Sequence, residues 1–150
     1  MSNILAFSCT HAPVMHPGAI DFLRETARQW NCDRFVCLGD VVDWHSVTYH
    51  EVNPDLPSPG HELQMAKKQV QALRKAFPVM DVLTGNHDDR INRKAASHGL
   101  PKDSVKSCQE MFETGDWQWH DRFCDLEIDS VIFRHGDKGK RGAKNAAIDN

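Results

Sequence analysis

The chain has 150 residues, 40% of them hydrophobic and 26% charged, with a formal net charge of -3. That length suits one domain able to bury its own core, so a single domain over residues 1–150 is expected, and the composition excludes a disordered polymer or a general polyanion binder. No apolar run reaches the roughly 18 residues of a membrane span, and Ile4–Phe7 lacks a cationic leader, so a cytoplasmic protein with no membrane partner is expected.

Ile4 to Cys9 is a short apolar run that reads as a buried strand. Pro17 then suits the first turn of a helix, with Ile20, Leu23, Ala27 and Trp30 at helical spacing. Arg34 to Leu38 is a second strand closed by Gly39-Asp40, which makes a βαβ unit and predicts parallel strands. Residues 41–60 hold three prolines and read as a long loop with one helical turn. A helix is predicted over 59–77, with Ser58 as N-cap, Pro78 as stop and Leu63, Ala66, Val70, Leu73 and Phe77 on one face. Val79 to Thr84 is a third strand, closed by Gly85-Asn86-His87-Asp88.

Beyond it, 90–97 and 103–112 read as short helices. The segments 117–119, 123–128 and 131–134 read as strands, the last two joined through Asp129-Ser130 as a hairpin. Residues 136–142 are glycine-rich and basic, and 143–148 begin a further helix.

Five cysteines without any C-x-x-C pair argue for reduced thiols rather than a disulfide framework or a zinc knuckle. The nine histidines are the unusual count. Several follow strands, and ligands of α/β sheets collect at strand carboxyl ends. Four such ends carry polar residues: Cys9-Thr10-His11, Gly39-Asp40 with Asp43, Gly85-Asn86-His87-Asp88, and His135-Gly136-Asp137. Each alone reads as an ordinary turn. Together they assemble imidazoles, carboxylate, amide and thiol, a set that can hold divalent transition metals.

In this order the blocks resemble the calcineurin-like metallophosphoesterases, whose signature runs D-x-H, G-D, G-N-H-D/E, a single His, then G-H-x-H. The resemblance covers residues 4–136 and implies an α/β/β/α sandwich and a metal-dependent phosphoric ester hydrolase acting on a phosphorylated substrate. It implies Cys9, His11 and Asp40 around one metal ion and Asp40, Asn86 and His135 around the other, with Asp40 bridging. Two cations about 3.5–4 Å apart would activate a hydroxide for in-line attack on phosphorus. His87 would protonate the leaving oxygen, Asp88 would orient His87, and Arg90 would contact a phosphate oxygen alongside Asn86 and His87. Asp43 is expected to hold His11 or cap a turn.

Two departures stand out. Cys9 occupies the place of the first-block aspartate, as in lariat RNA debranching enzymes of the same superfamily. A thiolate there favours zinc or iron over manganese; a buried strand-end thiol beside a single metal is the alternative. No G-H-x-H block follows His135, so a fragment or a natural truncation is expected. Lys138, Lys140, Arg141 and Lys144 form a basic run that suits either a nucleic-acid backbone or a solvated loop. Trp44, His45, Tyr49 and His50 lie in the long loop, where solvated side chains or substrate selectivity are expected, while His16, His61, His98 and His120 read as surface residues. A phosphodiester is the preferred substrate class. A metal-binding relic without activity and a nuclease are the other readings.

Overall fold

Strands β1 (Ile4–Phe7), β2 (Arg34–Cys37), β3 (Asp81–Leu83) and β4 (Gln118–His120) form a parallel sheet in the order of the sequence. These assignments come from a computed structural model whose described residues are 1–137. Leu5 pairs with Phe35, Cys37 with Val82, and Val82 with Trp119. Paired residues of parallel strands point to one face, so Leu5, Phe35, Cys37, Val82 and Trp119 line the same side of the sheet.

Helices α1 (Ala19–Gln29) and α2 (Pro59–Ala76) pack against each other over that side. Leu23, Ala66, Val70, Leu73 and Phe77 join Leu5, Cys37, Val82 and Trp117 in one hydrophobic cluster. The helical spacing of the α2 residues puts them on the stripe that faces the sheet. Ser58 Oγ accepts the N–H of His61 and Pro59 opens the helix, as the sequence predicts. Trp117 is fully buried and donates its indole N–H to Phe77 O at 2.7 Å, which ties β4 to the end of α2.

Helix α3 (Arg90–Ser97) has the predicted bounds. The helix predicted over 103–112 is divided into a 3-10 turn, Lys102–Ser104, and α4 (Cys108–Phe112). Ser107 and Glu110 form a reciprocal capping box, which starts α4 afresh. Trp30, predicted on the buried face of α1, lies at its C-cap and is exposed, because Asn31 takes φ 48° and turns the chain toward β2.

The predicted hairpin is β5 (Leu126–Ile128) and β6 (Val131–Phe133), an antiparallel pair. Asp129 and Ser130 have φ of 51° and 67°, the paired left-handed geometry of a tight hairpin turn. The fold is thus mixed α/β, with a parallel sheet, a separate hairpin and four α-helices among the described residues. The helix expected over 143–148 and the basic residues Lys138, Lys140, Arg141 and Lys144 lie outside the described residues. Among the described residues no helix is long and apolar enough to cross a membrane.

Candidate metal centre

The loops leaving β1 and β2 are joined backbone to backbone. Cys9 and His11 donate their N–H groups to Gly39 O and Asp40 O at 2.9 and 3.0 Å, and Ala12 donates to Val41 O at 2.8 Å. Within this zipper Cys9, His11 and Asp40 hold φ of 56°, 47° and 54°, a region costly to residues with a Cβ and retained only where surrounding contacts impose it. The loop after β3 closes on the same point through two glycines. A Cβ on Gly39, whose φ is +108°, would stand 2.7 Å from Leu83 O and 2.8 Å from His135 Nδ1; one on Gly85 would run into the Asp40 carboxylate.

Asp40 is buried at the centre of these loops. Its Oδ1 accepts the His87 N–H at 2.8 Å. Its Oδ2 lies 3.4 Å from His135 Nε2 and 3.9 Å from His11 Nε2. Both rings are fixed through their other nitrogen: His135 Nδ1 is 2.7 Å from Leu38 O, and His11 Nδ1 is 3.0 Å from Asp43 Oδ1. Imidazoles that ligate metals are commonly anchored in this way.

The donor set suits a divalent cation. With its Nδ1–H given to Leu38 O, a neutral His135 presents a lone pair at Nε2. That lone pair faces two further acceptors, Asn86 Oδ1 at 3.1 Å and Asp40 Oδ2 at 3.4 Å. Three electron-pair donors so close are reconciled by a proton on the ring or by a cation among them. On the other side of Asp40, ligand atoms of Cys9, His11 and Asp40 lie within 4.8 Å of one another. Cys9 is exposed, which corrects the alternative of a buried strand-end thiol.

The electrostatics follow from this crowding. Burial by itself would raise the Asp40 carboxyl, but hydrogen bonds from His135 and from the His87 backbone outweigh it and hold the group below its ordinary value. His135 is raised, chiefly by its bond to Asp40 and against the effect of burial.

Asp43 sits beside this group. Its Oδ1 lies 3.1 Å from His87 Nδ1 and 3.0 Å from His11 Nδ1. The His87 hydrogen bond, with smaller help from His11, takes the Asp43 carboxyl down to about 2, and the same contact raises His87. Asp88, expected to orient His87, is engaged elsewhere. It is only 1% exposed, and its two oxygens accept the backbone N–H groups of Asp40, Gly85 and Val42 at 2.8, 2.9 and 3.1 Å. Burial still pushes it up to about 6. Asp88 therefore pins the β2 loop to the β3 loop, and the carboxylate beside the His87 ring is Asp43.

Arg90, expected to reach a phosphate, is turned inward. Its Nη1 donates to Asp43 O and Trp44 O at 3.0 and 2.8 Å, and its Nη2 stands 3.0 Å from His87 Nδ1. Trp44 is buried and packs toward Phe112 with ring centroids 6.1 Å apart, so it is a core residue and not a solvated loop side chain. Tyr49 and His50 are exposed, with Lys94 Nζ 4.3 Å from the Tyr49 ring centre. His16, His61 and His98 are exposed as expected, whereas His120 Nε2 is bound to Asp81 at 2.8 Å.

Two further residues support the site without any mark in the sequence. Arg93 donates from Nη2 to Asn86 O at 2.8 Å, behind the candidate ligand. Glu62 is buried against residues 45 and 46, although it reads in the sequence as an ordinary first-turn acid of α2. Neither has a spacing signal.

The parallel sheet, with donors from four segments converging at its carboxyl edge, defines an α/β protein with a candidate metal site. A family model described as calcineurin-like phosphoesterase matches residues 2–145, and the chain belongs to that family. No curated protein and no solved structure matches the chain. Members of this family are metal-dependent phosphoesterases, and the chain carries candidate ligand groups for divalent metals.

Proposed function

We propose that the protein hydrolyses phosphoesters with two divalent cations shared by Asp40, and that phosphodiesters are its preferred class. The observation that carries this reading is the convergence of His11 Nε2 and His135 Nε2 on one Asp40 oxygen, with both Nδ1 atoms already committed. Cys9 and His11 would complete one position with Asp40, and Asn86 and His135 the other. Cations held by these residues would supply Lewis acidity toward a phosphoryl oxygen and lower the pKa of water toward neutral pH.

The chain's own residues account for the rest. Asp40 spans the two positions, and its Oδ1 is kept in line by the His87 N–H. His87, raised by Asp43, carries a proton to give to the departing ester oxygen. Arg90 braces His87 and the loop carbonyls of residues 43 and 44. Asp88 fixes the distance between the β2 and β3 loops. The preference for a diester rests on Cys9, the substitution also found in debranching enzymes, and on the basic run after His135.

Purified protein supplied with manganese, zinc or iron should hydrolyse bis(p-nitrophenyl) phosphate faster than p-nitrophenyl phosphate. Asp40→Ala and Asn86→Ala should abolish both activities. Turnover that needs no metal, or that survives both substitutions, overturns the reading; a faster monoester reaction overturns the diester preference alone.

A further inference from the structure

Among the described residues Glu62 is the most deeply buried acid outside the candidate metal centre, and its oxygens point at the loop that carries Asp43. Oε1 accepts the His45 N–H at 2.9 Å and lies 2.9 Å from His45 Nδ1. Oε2 accepts the Ser46 N–H at 3.0 Å and the Ser46 hydroxyl. The same His45 Nδ1 is 3.5 Å from Asp43 Oδ2. Two carboxylate oxygens facing one ring nitrogen are reconciled by a hydrogen on that nitrogen or by a cation among the three groups, whose ligand atoms lie within 4.8 Å of one another. A hydrogen on His45 Nδ1 would lie between two like charges that otherwise repel across the gap.

We infer that His45, held by Glu62, is a positioning residue that fixes the Asp43 carboxylate so that its other oxygen serves His87 and His11. Asp43 has few ways to rotate. Oδ2 lies 3.5 Å from His45 Nδ1 on the α2 side, and Oδ1 lies 3.1 and 3.0 Å from the Nδ1 atoms of His87 and His11. The backbone on either side is clamped, with Trp44 buried at φ 53° and Arg90 on the carbonyls of residues 43 and 44. The chain of contacts runs from α2 through the loop to the ring proposed as proton donor. Neither His45 nor Glu62 touches that ring or the candidate ligands. The inference rests on the proposed phosphoesterase reading for its catalytic consequence, and on geometry alone for its structural one.

Two variants of similar size separate a hydrogen-bond role from packing. His45→Asn places an N–H donor where Nδ1 stands, and His45→Leu fills the space without one. The first readout needs no activity: long-range proton–nitrogen NMR spectra of metal-free protein labelled at histidine nitrogens, at one fixed pH. His45→Leu should move the ring-nitrogen shifts of His11 and His87 toward tautomer-averaged values, and His45→Asn should leave them near wild type. The second is kinetics with metal-loaded protein. His45→Leu should lower kcat about tenfold or more with KM and metal content within twofold, while His45→Asn stays within about threefold of wild type. Unchanged ring shifts in His45→Leu, or equal loss in both variants, overturn the positioning role. A wild-type protein that turns over no phosphoester with any of the metals overturns the proposed function, and the ring shifts still decide whether His45 positions Asp43.

Discussion

Asp43 Oδ1 lies 3.1 Å from His87 Nδ1, and this contact pairs the proposed proton donor with a carboxylate from a different loop. The negative partner favours the protonated ring, and Arg90 Nη2 lies 3.2 Å from the other ring nitrogen, Nε2. Asp43→Asn should therefore lower kcat on bis(p-nitrophenyl) phosphate by about 10²-fold, within the usual range for general acid catalysis, with KM nearly unchanged. Steady-state kinetics at saturating metal check this; a loss confined to KM would assign Asp43 to substrate binding instead.

The proposed sharing of Asp40 predicts the metal stoichiometry. Elemental analysis should find two cations per chain in the wild type, one in Asn86→Ala or His135→Ala, and none in Asp40→Ala. Binding to the folded state alone stabilises it by about 2.7 kcal/mol at a free metal concentration of 100 Kd, so chelation should lower Tm in the wild type and leave Asp40→Ala unmoved. One cation or none in the wild type favours a relic without catalysis.

As a proposed ligand, the Cys9 thiol should set a preference among metals. Replacing it by the harder carboxylate in Cys9→Asp should shift the ranking of activating ions from zinc or iron toward manganese. Activity assayed with each ion after exhaustive chelation decides it, and an unchanged ranking would remove Cys9 from the ligand set.

Gly85 leaves no room for a side chain. Its Cβ would stand 2.5 Å from Asp40 N and would collide with the Asp40 carboxylate, so Gly85→Ala should cost about 2–3 kcal/mol and reduce metal content. Gly60→Ala is the matched control, because nothing lies within 4 Å of its Cβ. Chemical denaturation with metal analysis compares the two.

The depressed Asp43 carboxyl links stability to pH. Its folded value of about 2 lies below the ordinary 3.8, so the unfolded chain binds the proton more tightly. The contribution, roughly 2 kcal/mol, is present above about pH 4 and is lost as pH falls toward 2. Denaturant unfolding of metal-free protein between pH 6 and pH 3 should show a smaller acid loss in Asp43→Asn than in wild type, and equal losses would refute the linkage.

Much of the frame is legible in the sequence because it depends on local chemistry. The apolar runs at 4–7, 34–37 and 81–83 form the parallel strands, and the spacing of Ala66, Val70, Leu73 and Phe77 marks the buried face of α2. Pro59 and Ser58 set one end of that helix within a residue. The four polar blocks fall at strand ends because glycine and asparagine suit the tight turns required there. The division of the segment 103–112 was hidden, because the Ser107–Glu110 cap competes with continuation of a helix and only packing decides between them.

The sequence by itself determined which residue types reach the carboxyl edge of the sheet and in what order: Cys9 and His11, Asp40, Asn86 and His87, then His135. Only the tertiary structure decided which of them touch. Asp88 adjoins His87 in the chain, yet three backbone N–H groups from two loops claim its oxygens. His87 therefore meets Asp43, 44 residues away. Glu62 shows the same rule from the other side, an ordinary helix-start acid until folding buries it against residues 45 and 46. Chain spacing fixes the end of the strand at which a group emerges, whereas competition among donors from separate loops fixes its partner.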